Sequence, residues 1–196
     1  MSILTSFGHN LRRLHDFTGR ESRAQFWPWV IFLFILAMIA DLVLVFSMIA
    51  EMMTRMIRFM QEHPKYVPGE APFKPGDSPL PPELMPDMGR IMLPMQAVNL
   101  VFVLLIAAAV WRRLHDRDRT GAWALAYLPF LVTGAWVGQR YAGAMTFTQP
   151  PDPRIVSLLT LNSLSAWLVI VLLVVQLASR GTPGPNRFGD EPPIAA

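Results

Sequence analysis

The sequence predicts an all-α integral membrane protein: a bundle of four transmembrane helices with both termini in the cytoplasm and a proline-rich outer loop. Three observations predict this fold: the excess of apolar residues, their grouping into long blocks, and the distribution of the arginines. Hydrophobic residues fill 53% of the 196 positions and charged residues 16%, whereas soluble proteins average about 45–50% and about 25%. The chain contains no cysteine, which excludes disulfides, thiolate metal sites and a cysteine nucleophile.

Four apolar segments are long enough, or nearly so, to cross a bilayer. A hydrocarbon core of about 30 Å requires about 20 residues of helix, because unpaired backbone groups are not satisfied in lipid. The predicted spans are 26–50, 91–110, 122–138 and 155–178. The third is short and is interrupted by Pro129 and Gly134. The first is longer than the apolar region of a signal peptide and follows a polar leader, so we expect it to be retained.

The density of basic residues in the connecting segments predicts the orientation. The leader 1–25 and the short loop 111–121 contain four arginines each, whereas the loop 51–90 has five basic and six acidic residues. Short segments rich in Lys and Arg stay in the cytoplasm. The leader, the loop 111–121 and the tail 179–196 are therefore predicted to be cytoplasmic, and the loops 51–90 and 139–154 to lie on the outer side.

The outer loop 51–90 is predicted to have two parts. Apolar residues recur at helical spacing in its first part, so we expect the first helix to continue beyond the membrane. These residues are Met52, Met53, Met56, Ile57 and Met60. Nine prolines from Pro64 to Pro94 then predict an extended, irregular connection. We interpret the methionine stripe as packing against the protein or lying on the bilayer surface, with a promiscuous binding surface as the alternative.

The pentapeptide RRLHD occurs at 12–16 and again at 112–116, and Thr-Gly follows each copy closely. Duplication of a helical hairpin would produce this repeat, and so would independent occurrence. At the second copy the charges have a structural explanation, because its arginines face the negative end of the second helix and Asp116 precedes the third. The functional alternative is an anionic site, since guanidinium groups bind phosphate. A histidine–aspartate metal site lacks further ligands nearby.

Inside the predicted membrane region, Asp41 is the residue that most needs a partner, because an unpaired carboxylate in lipid is costly. Counted along the helices, Asn99 and Asn162 lie at a similar depth, and Thr133 is close to it. We predict a polar layer of these four residues, whose simplest role is to fix helix packing by hydrogen bonds. The alternative is a proton or solute path, which would make the chain a small transporter or channel subunit.

Three motifs carry a resemblance to a known family. They are GRESRAQFW at 19–27, RRLHDRDRTGAWAL at 112–125 and GTPGPNRFG at 181–189. In this order, and over nearly the whole chain, they resemble domain-of-unknown-function family 805, the YhaH-like bacterial inner-membrane proteins. The resemblance implies a multi-pass protein of the bacterial inner (plasma) membrane and brings no established activity, substrate or cofactor. Against the family pattern, residues from about 132 to 161 look like an insertion.

We expect the three motifs to converge on the cytoplasmic face. The predicted interaction cluster consists of Arg20, Arg23, Arg112, Arg113, His115, Asp116, Asn186 and Arg187. Asp116 is expected to be the buried acceptor of one or more arginines, which leaves the others to bind anionic lipid headgroups or a protein partner.

Neither enzymatic activity nor a bound cofactor is predicted. The sequence has no nucleophile motif, phosphate loop or metal-spaced cluster, so we expect no catalytic residues and no metal. The net charge of +3 is attributed to the basic cytoplasmic face and not to nucleic-acid binding. The expected partner is the lipid bilayer, with an anionic lipid or another membrane protein as a further one. The sequence leaves open whether the chain forms a homo-oligomer.

Overall fold

The structure is a computed structural model that describes residues 3–64, 84, 89–144 and 152–192. Within these ranges the chain is helical, apart from the connections and the tail. The helices are α1 (Ile3–Arg12), α2 (Arg23–Glu62), α3 (Gly89–His115), a 3₁₀ helix (Gly121–Tyr127), α4 (Leu128–Ala144) and α5 (Pro153–Ala178). The proline-rich part of the predicted outer loop and residues 145–151 lie outside the described residues.

Four helical segments are long and apolar enough to cross a membrane, which confirms the predicted all-α fold with four spans. They are Arg23–Glu62, Met92–His115, Gly121–Gly138 and Pro153–Ala178. α3 ends at His115 rather than at Val110, so the second RRLHD motif begins on the last turn of a helix and not in a loop. The third span combines the 3₁₀ helix with α4.

Side chains next to the helix ends explain where several helices begin. Gln25 accepts a hydrogen bond from the backbone N–H of Ser22 at 3.0 Å at the start of α2. Thr120 accepts one from Ala122 before the 3₁₀ helix, and Asp152 accepts one from Arg154 before α5. These groups satisfy backbone donors that have no partner within the helix.

The helices form two antiparallel hairpins, α2 with α3 and α4 with α5. A cluster of buried apolar residues lies at the end of the molecule where α2 begins and α3 and α5 end. The members of this buried cluster are Phe26, Trp29, Leu33, Ala109, Val110, Leu114 and Leu177. Elsewhere the helices expose large apolar side chains, which suits a protein surrounded by lipid.

Part of the leader, the helix α1, packs onto this same end. The Phe7 ring of α1 meets the rings of Trp29 and Phe32 at centroid distances of 5.8 and 4.6 Å. The leader, the α3–α4 connection and the tail are therefore neighbours, at what is called the polar end below (residues 6–23, 111–121 and 177–191). With four spans, the leader and the tail are expected at the same end of the molecule, as the structure shows. That this end lies in the cytoplasm stays a prediction.

Candidate functional site

The polar end contains a buried set of charged side chains that is called the clasp: Arg20, Glu21, Arg112, Arg113 and Asp116. All five are at most 6% exposed. The last turn of α3 supplies two arginines, the connection that follows supplies the aspartate, and the leader supplies the other two residues. Three cations and two carboxylates thus share a site that water does not reach, so each charge requires protein partners.

Arg112 joins the leader to α3. Its Nε donates to Oε2 of Glu21 at 2.8 Å, and its Nη2 lies 2.8 Å from the same oxygen and donates to Oδ1 of Asn10 at 2.8 Å. Its Nη1 donates to the backbone carbonyls of Arg13 and Asp16. Every nitrogen of this guanidinium therefore donates to the leader, which fixes the leader against α3.

Arg113 joins the other helices. Its Nη1 donates to Oδ2 of Asp116 and to the backbone carbonyl of Glu21. Its Nε donates to the carbonyl of Leu177 at 2.9 Å and its Nη2 to that of Ser179. These last two carbonyls lie at the C-terminal end of α5, where they have no partner in the helix and attract a cation.

Arg20 connects Asp116 to the tail. Its Nε donates to Oδ1 of Asp116 at 3.1 Å. Its Nη1 donates to the carbonyl of Gly184 and its Nη2 to that of Thr182, both at 2.6 Å. Asp116 is thus the acceptor for two arginines, one on each oxygen. All guanidinium nitrogens of Arg20, like those of the two α3 arginines, donate to protein acceptors.

The tail folds back over the clasp as a short segment, residues 181–189, that is called the strap. The backbone N–H of Thr182 donates to the carbonyl of Asp116 at 2.8 Å. The Asn186 amide donates to the carbonyl of His115 at 3.0 Å and to the Thr182 hydroxyl at 2.9 Å. Gly181 lies so close that a Cβ there would be 2.1 Å from Oδ2 of Asp116. The tail is therefore packed against the clasp.

His115 and Arg187 extend the contact between tail and α3. The His115 and Phe188 rings stack at 3.8 Å with an angle of 5°, and the guanidinium carbon of Arg187 lies 4.7 Å from the Phe188 centroid. Arg187 also pairs with Asp118, with 3.0 Å between Nε and Oδ1. Both partners of that pair are exposed, so water screens it.

The predicted cluster is brought together, with one residue set apart. Arg20, Arg112, Arg113, His115, Asp116, Asn186 and Arg187 all take part in the clasp or the strap. Arg23 differs, because it is exposed and its hydrogen bond to the Ala178 carbonyl is long, at 3.5 Å. The sequence predicts that some arginines of the cluster stay available to bind an anion. The three clasp arginines are not available, because each of their guanidinium nitrogens already donates to the protein.

The site also contains three residues that were not predicted from the sequence: Glu21, Asn10 and Thr182. Burial raises the pKa of the Glu21 carboxyl, and the Arg112 charge counteracts that effect. The sequence does contain a signal for Glu21. Two adjacent buried arginines need more than one carboxylate to balance their charge, so Asp116 alone is not enough. Neither Asn10 nor Thr182 shows such a signal, because their roles depend on the path of the leader and the tail.

The four residues of the predicted intramembrane layer form two separate pairs. The Asn99 amide donates to Oδ2 of Asp41 at 3.4 Å, a long contact between α2 and α3. The Thr133 hydroxyl donates to Oδ1 of Asn162 between α4 and α5. Each pair lies within one hairpin. The other oxygen of Asp41 is buried and has no hydrogen-bond partner.

The described residues offer no group of three His, Asp or Glu side chains that could hold a metal ion. The clasp carboxylates already accept hydrogen bonds from arginines, and the Asp41 pair brings only one carboxylate. The hydrogen bonds of the polar end hold the leader, α3, α5 and the tail in fixed positions relative to one another.

Comparison with known proteins places these motifs in a family. A family model described as "Protein of unknown function (DUF805)" matches residues 14–190. The chain is similar to "Inner membrane protein YhaI" of Escherichia coli K12 and of Escherichia coli O157:H7, at 32% identity over 92 residues in each case. The match spans 46% of this chain and 46% of each relative, less than half of their length. No solved structure matches the chain.

Proposed function

The chain belongs to the DUF805 family of proteins of unknown function, and on that premise we propose that it is a non-catalytic protein that binds anionic lipid headgroups at its polar end. It is a multi-pass protein of the bacterial inner membrane, as its four spans and its relatives indicate. In this proposal the clasp is the rigid support of the binding face. The headgroups bind to arginines around the clasp and not to the clasp itself.

The arginines assigned to lipid are called the rim arginines: Arg23, Arg119 and Arg180. All three are exposed, and each lies next to the end of a membrane helix. Arg23 is the first residue of α2, Arg119 precedes the 3₁₀ helix, and Arg180 follows α5. The ends of membrane spans lie at the level of the headgroups, so these cations at the polar end are at the right height for lipid phosphate.

Two tryptophans support this depth. Trp27 follows Arg23 by one helical turn, and Trp123 follows Arg119 at the same spacing. Tryptophan is enriched at the boundary between lipid and water, and Trp123 is 55% exposed. A basic residue next to an anionic leaflet contributes about 1 kcal/mol, so the three rim arginines together account for about 3 kcal/mol.

The single observation that carries the proposal is the saturation of the clasp. Each guanidinium nitrogen of Arg20, Arg112 and Arg113 already has a protein acceptor. An anion would have to displace buried hydrogen bonds to reach them, and each displaced group would lose about 1–3 kcal/mol. The rim arginines require no such exchange, which favours them as the anion-binding groups.

Thermal unfolding in lipid nanodiscs tests this function. The purified full chain is compared in phosphatidylcholine alone and in a mixture of phosphatidylcholine with phosphatidylglycerol. We expect the anionic lipid to raise the unfolding temperature, and we expect the triple variant Arg23→Ala, Arg119→Ala, Arg180→Ala to lose most of that increase. Arg58→Ala, an exposed arginine at the far end of α2, is the matched control and should keep it. An unchanged increase in the triple variant would contradict the proposal.

A second candidate function is a small transporter or channel subunit built around Asp41. The observation in its favour is the buried oxygen of Asp41, which lacks a hydrogen-bond partner and so suits a proton. Its test is proton flux into vesicles that contain the purified chain and an entrapped pH-sensitive dye. Flux that Asp41→Asn abolishes would favour this candidate. Equal dye responses in empty vesicles, wild type and Asp41→Asn would rule it out.

A further inference from the structure

Eight apolar residues of α2 form one continuous line along the helix, called the α2 seam. They are Ile35, Ile39, Leu42, Phe46, Ile49, Met53, Ile57 and Met60, and they are 37–61% exposed. Successive members are three or four residues apart. At 3.6 residues per turn, all of them fall within about 40° of a single line on the helix surface. The seam is therefore a straight apolar face that remains accessible along most of the helix.

α3 packs on a different face of α2. The Asp41 carboxylate contacts Asn99, and Glu51 Oε1 lies 3.9 Å from Nη1 of Arg90 at the beginning of α3. Around the helix axis these two α2 residues lie about 120° and about 160° from the seam. The hairpin partner thus occupies the back of α2 and leaves the seam accessible.

The outer part of the seam continues past the level where α3 begins. The contact between Glu51 and Arg90 marks that level, and Met53, Ile57 and Met60 lie beyond it. The charged residues of this part are Glu51, Arg55, Arg58 and Glu62, and all four lie at least about 140° from the seam. This arrangement is that of an amphipathic helix, with an apolar face opposite a charged one.

The bilayer surface does not explain this face. α2 is one helix from Arg23 to Glu62, and its internal proline is Pro28, at the opposite end. Residues 29–62 contain neither proline nor glycine. Without such a residue a helix does not bend sharply, so the segment that leaves the membrane continues in the direction of the span. Apolar area left in water costs about 25 cal/mol per Å², and a protein partner removes that cost.

We propose that the α2 seam joins two copies of this chain into a parallel homodimer. Identical copies insert in the same orientation, so their α2 helices are parallel and each seam residue is at the same height as its equivalent. Steps of three and four residues are the spacing at which two parallel helices pack along a common line. With the charges on the opposite face, no like charges meet. This proposal is independent of lipid binding at the polar end.

Cysteine cross-linking tests the dimer, because the chain has no native cysteine. Single variants Met53→Cys, Ile57→Cys and Met60→Cys place a thiol on the seam. Arg58→Cys and Glu62→Cys, exposed on the opposite face, are matched controls. A disulfide requires Cα atoms about 4.4–6.8 Å apart, so mild oxidation in native membranes should yield several-fold more covalent dimer from the seam positions than from the controls.

Three results would overturn the proposal. One is equal cross-linking at seam and control positions. Another is a product whose mass is not twice that of the chain. The third is monomer alone at every seam position, as expected if another part of the chain or lipid covers the seam.

A charge introduced on the seam gives a second measurement. Met53→Glu in the Met60→Cys background should reduce the covalent dimer several-fold, because a buried unpaired carboxylate in each copy opposes association. Arg58→Glu in the same background is the control and should leave the yield unchanged. If both substitutions reduced it equally, the effect would be one of general charge and the seam would not be the interface. The thermal unfolding of each variant confirms that the fold is retained.

Discussion

The Arg112 guanidinium holds Oε2 of Glu21 between two of its nitrogens, Nε and Nη2, each 2.8 Å away. Glu21 is fully buried and Arg112 is 1% exposed. The backbone reinforces the same contact, because the Glu21 N–H donates to the Arg112 carbonyl at 3.2 Å. One buried ion pair thus connects the segment before the first span to the end of the second.

Replacing Glu21 by Gln should destabilise the protein strongly. Removing one partner of a buried ion pair leaves the other charge unpaired, which costs about 3–5 kcal/mol. The matched control is Glu51→Gln, because Glu51 pairs with Arg55 in an exposed position, where a pair contributes about 0–1 kcal/mol. Chemical unfolding in detergent measures both. Equal losses in the two variants would contradict the structural role of Glu21.

The same chemical change should have different effects at two aspartates. Asp116→Asn removes the charge that pairs with Arg20 and Arg113, and we expect a loss of about 3–5 kcal/mol. Asp41→Asn should be nearly neutral, because the Asp41 partner is a neutral amide at 3.4 Å and a neutral side chain is less costly in lipid. Thermal unfolding in nanodiscs compares them. A larger loss for Asp41→Asn would reverse the assignment.

Gly181 should tolerate no side chain. An added Cβ would lie 2.1 Å from Oδ2 of Asp116, so Gly181→Ala must displace either the strap or the aspartate. We expect a loss of about 1–3 kcal/mol, the usual cost of overpacking a tight site. Limited proteolysis of the tail should accelerate in parallel. Gly138→Ala in α4, where nothing lies within 4 Å of the added atom, is the control and should be neutral or slightly stabilising.

Acidification should loosen the leader through His9. Burial lowers the pKa of His9 below its usual 6.5, and the Arg13 charge lowers it further; the two side chains are 3.3 Å apart. The unfolded leader therefore takes up a proton at a higher pH than the docked one. The contribution of His9 to docking is complete well above pH 6.5 and is lost as the pH falls through 6.5 towards the lower pKa of the folded state.

Hydrogen exchange of α1 measures this pH dependence. Exchange, corrected for its intrinsic rate, should increase between neutral and mildly acidic pH in the wild type and much less in His9→Gln. His15→Gln changes an exposed histidine of the same leader and should behave like the wild type. An identical increase in His9→Gln would show that another group is responsible. The pKa of the Asp16 carboxyl is lowered, mainly by hydrogen bonds from Thr18, so Asp16 titrates outside this range.

The first and second spans show how much of the fold is accessible from sequence. A bilayer imposes a length and an apolar composition on any helix that crosses it, so the spans 26–50 and 91–110 were found within α2 and α3. The extension of α2 to Glu62 followed from the spacing of its methionines. The ends of the helices were harder to predict. α3 continues to His115, and its last arginines donate to acceptors in other segments.

The polar end shows the opposite case. The sequence identified Asp116 as an acceptor and gathered the three motifs, but the identity of the donors and the role of Glu21 came from tertiary structure. The leader is predicted to be an amphipathic or irregular cytoplasmic segment; in the structure its residues Ile3–Arg12 form a packed helix, whose Asn10 binds Arg112. The predicted single layer around Asp41 became two pairs, since depth in the membrane does not specify which helices are neighbours.

By itself the sequence determined that the chain crosses a membrane with four helices, and that the arginines of its three motifs gather at one end. These properties follow from solvent: each segment is selected by water or lipid independently of the others. Only the tertiary structure decided that the clasp arginines are saturated and that the rim arginines and the α2 seam remain accessible. Such availability depends on contacts between residues as much as 169 positions apart, which no local pattern encodes.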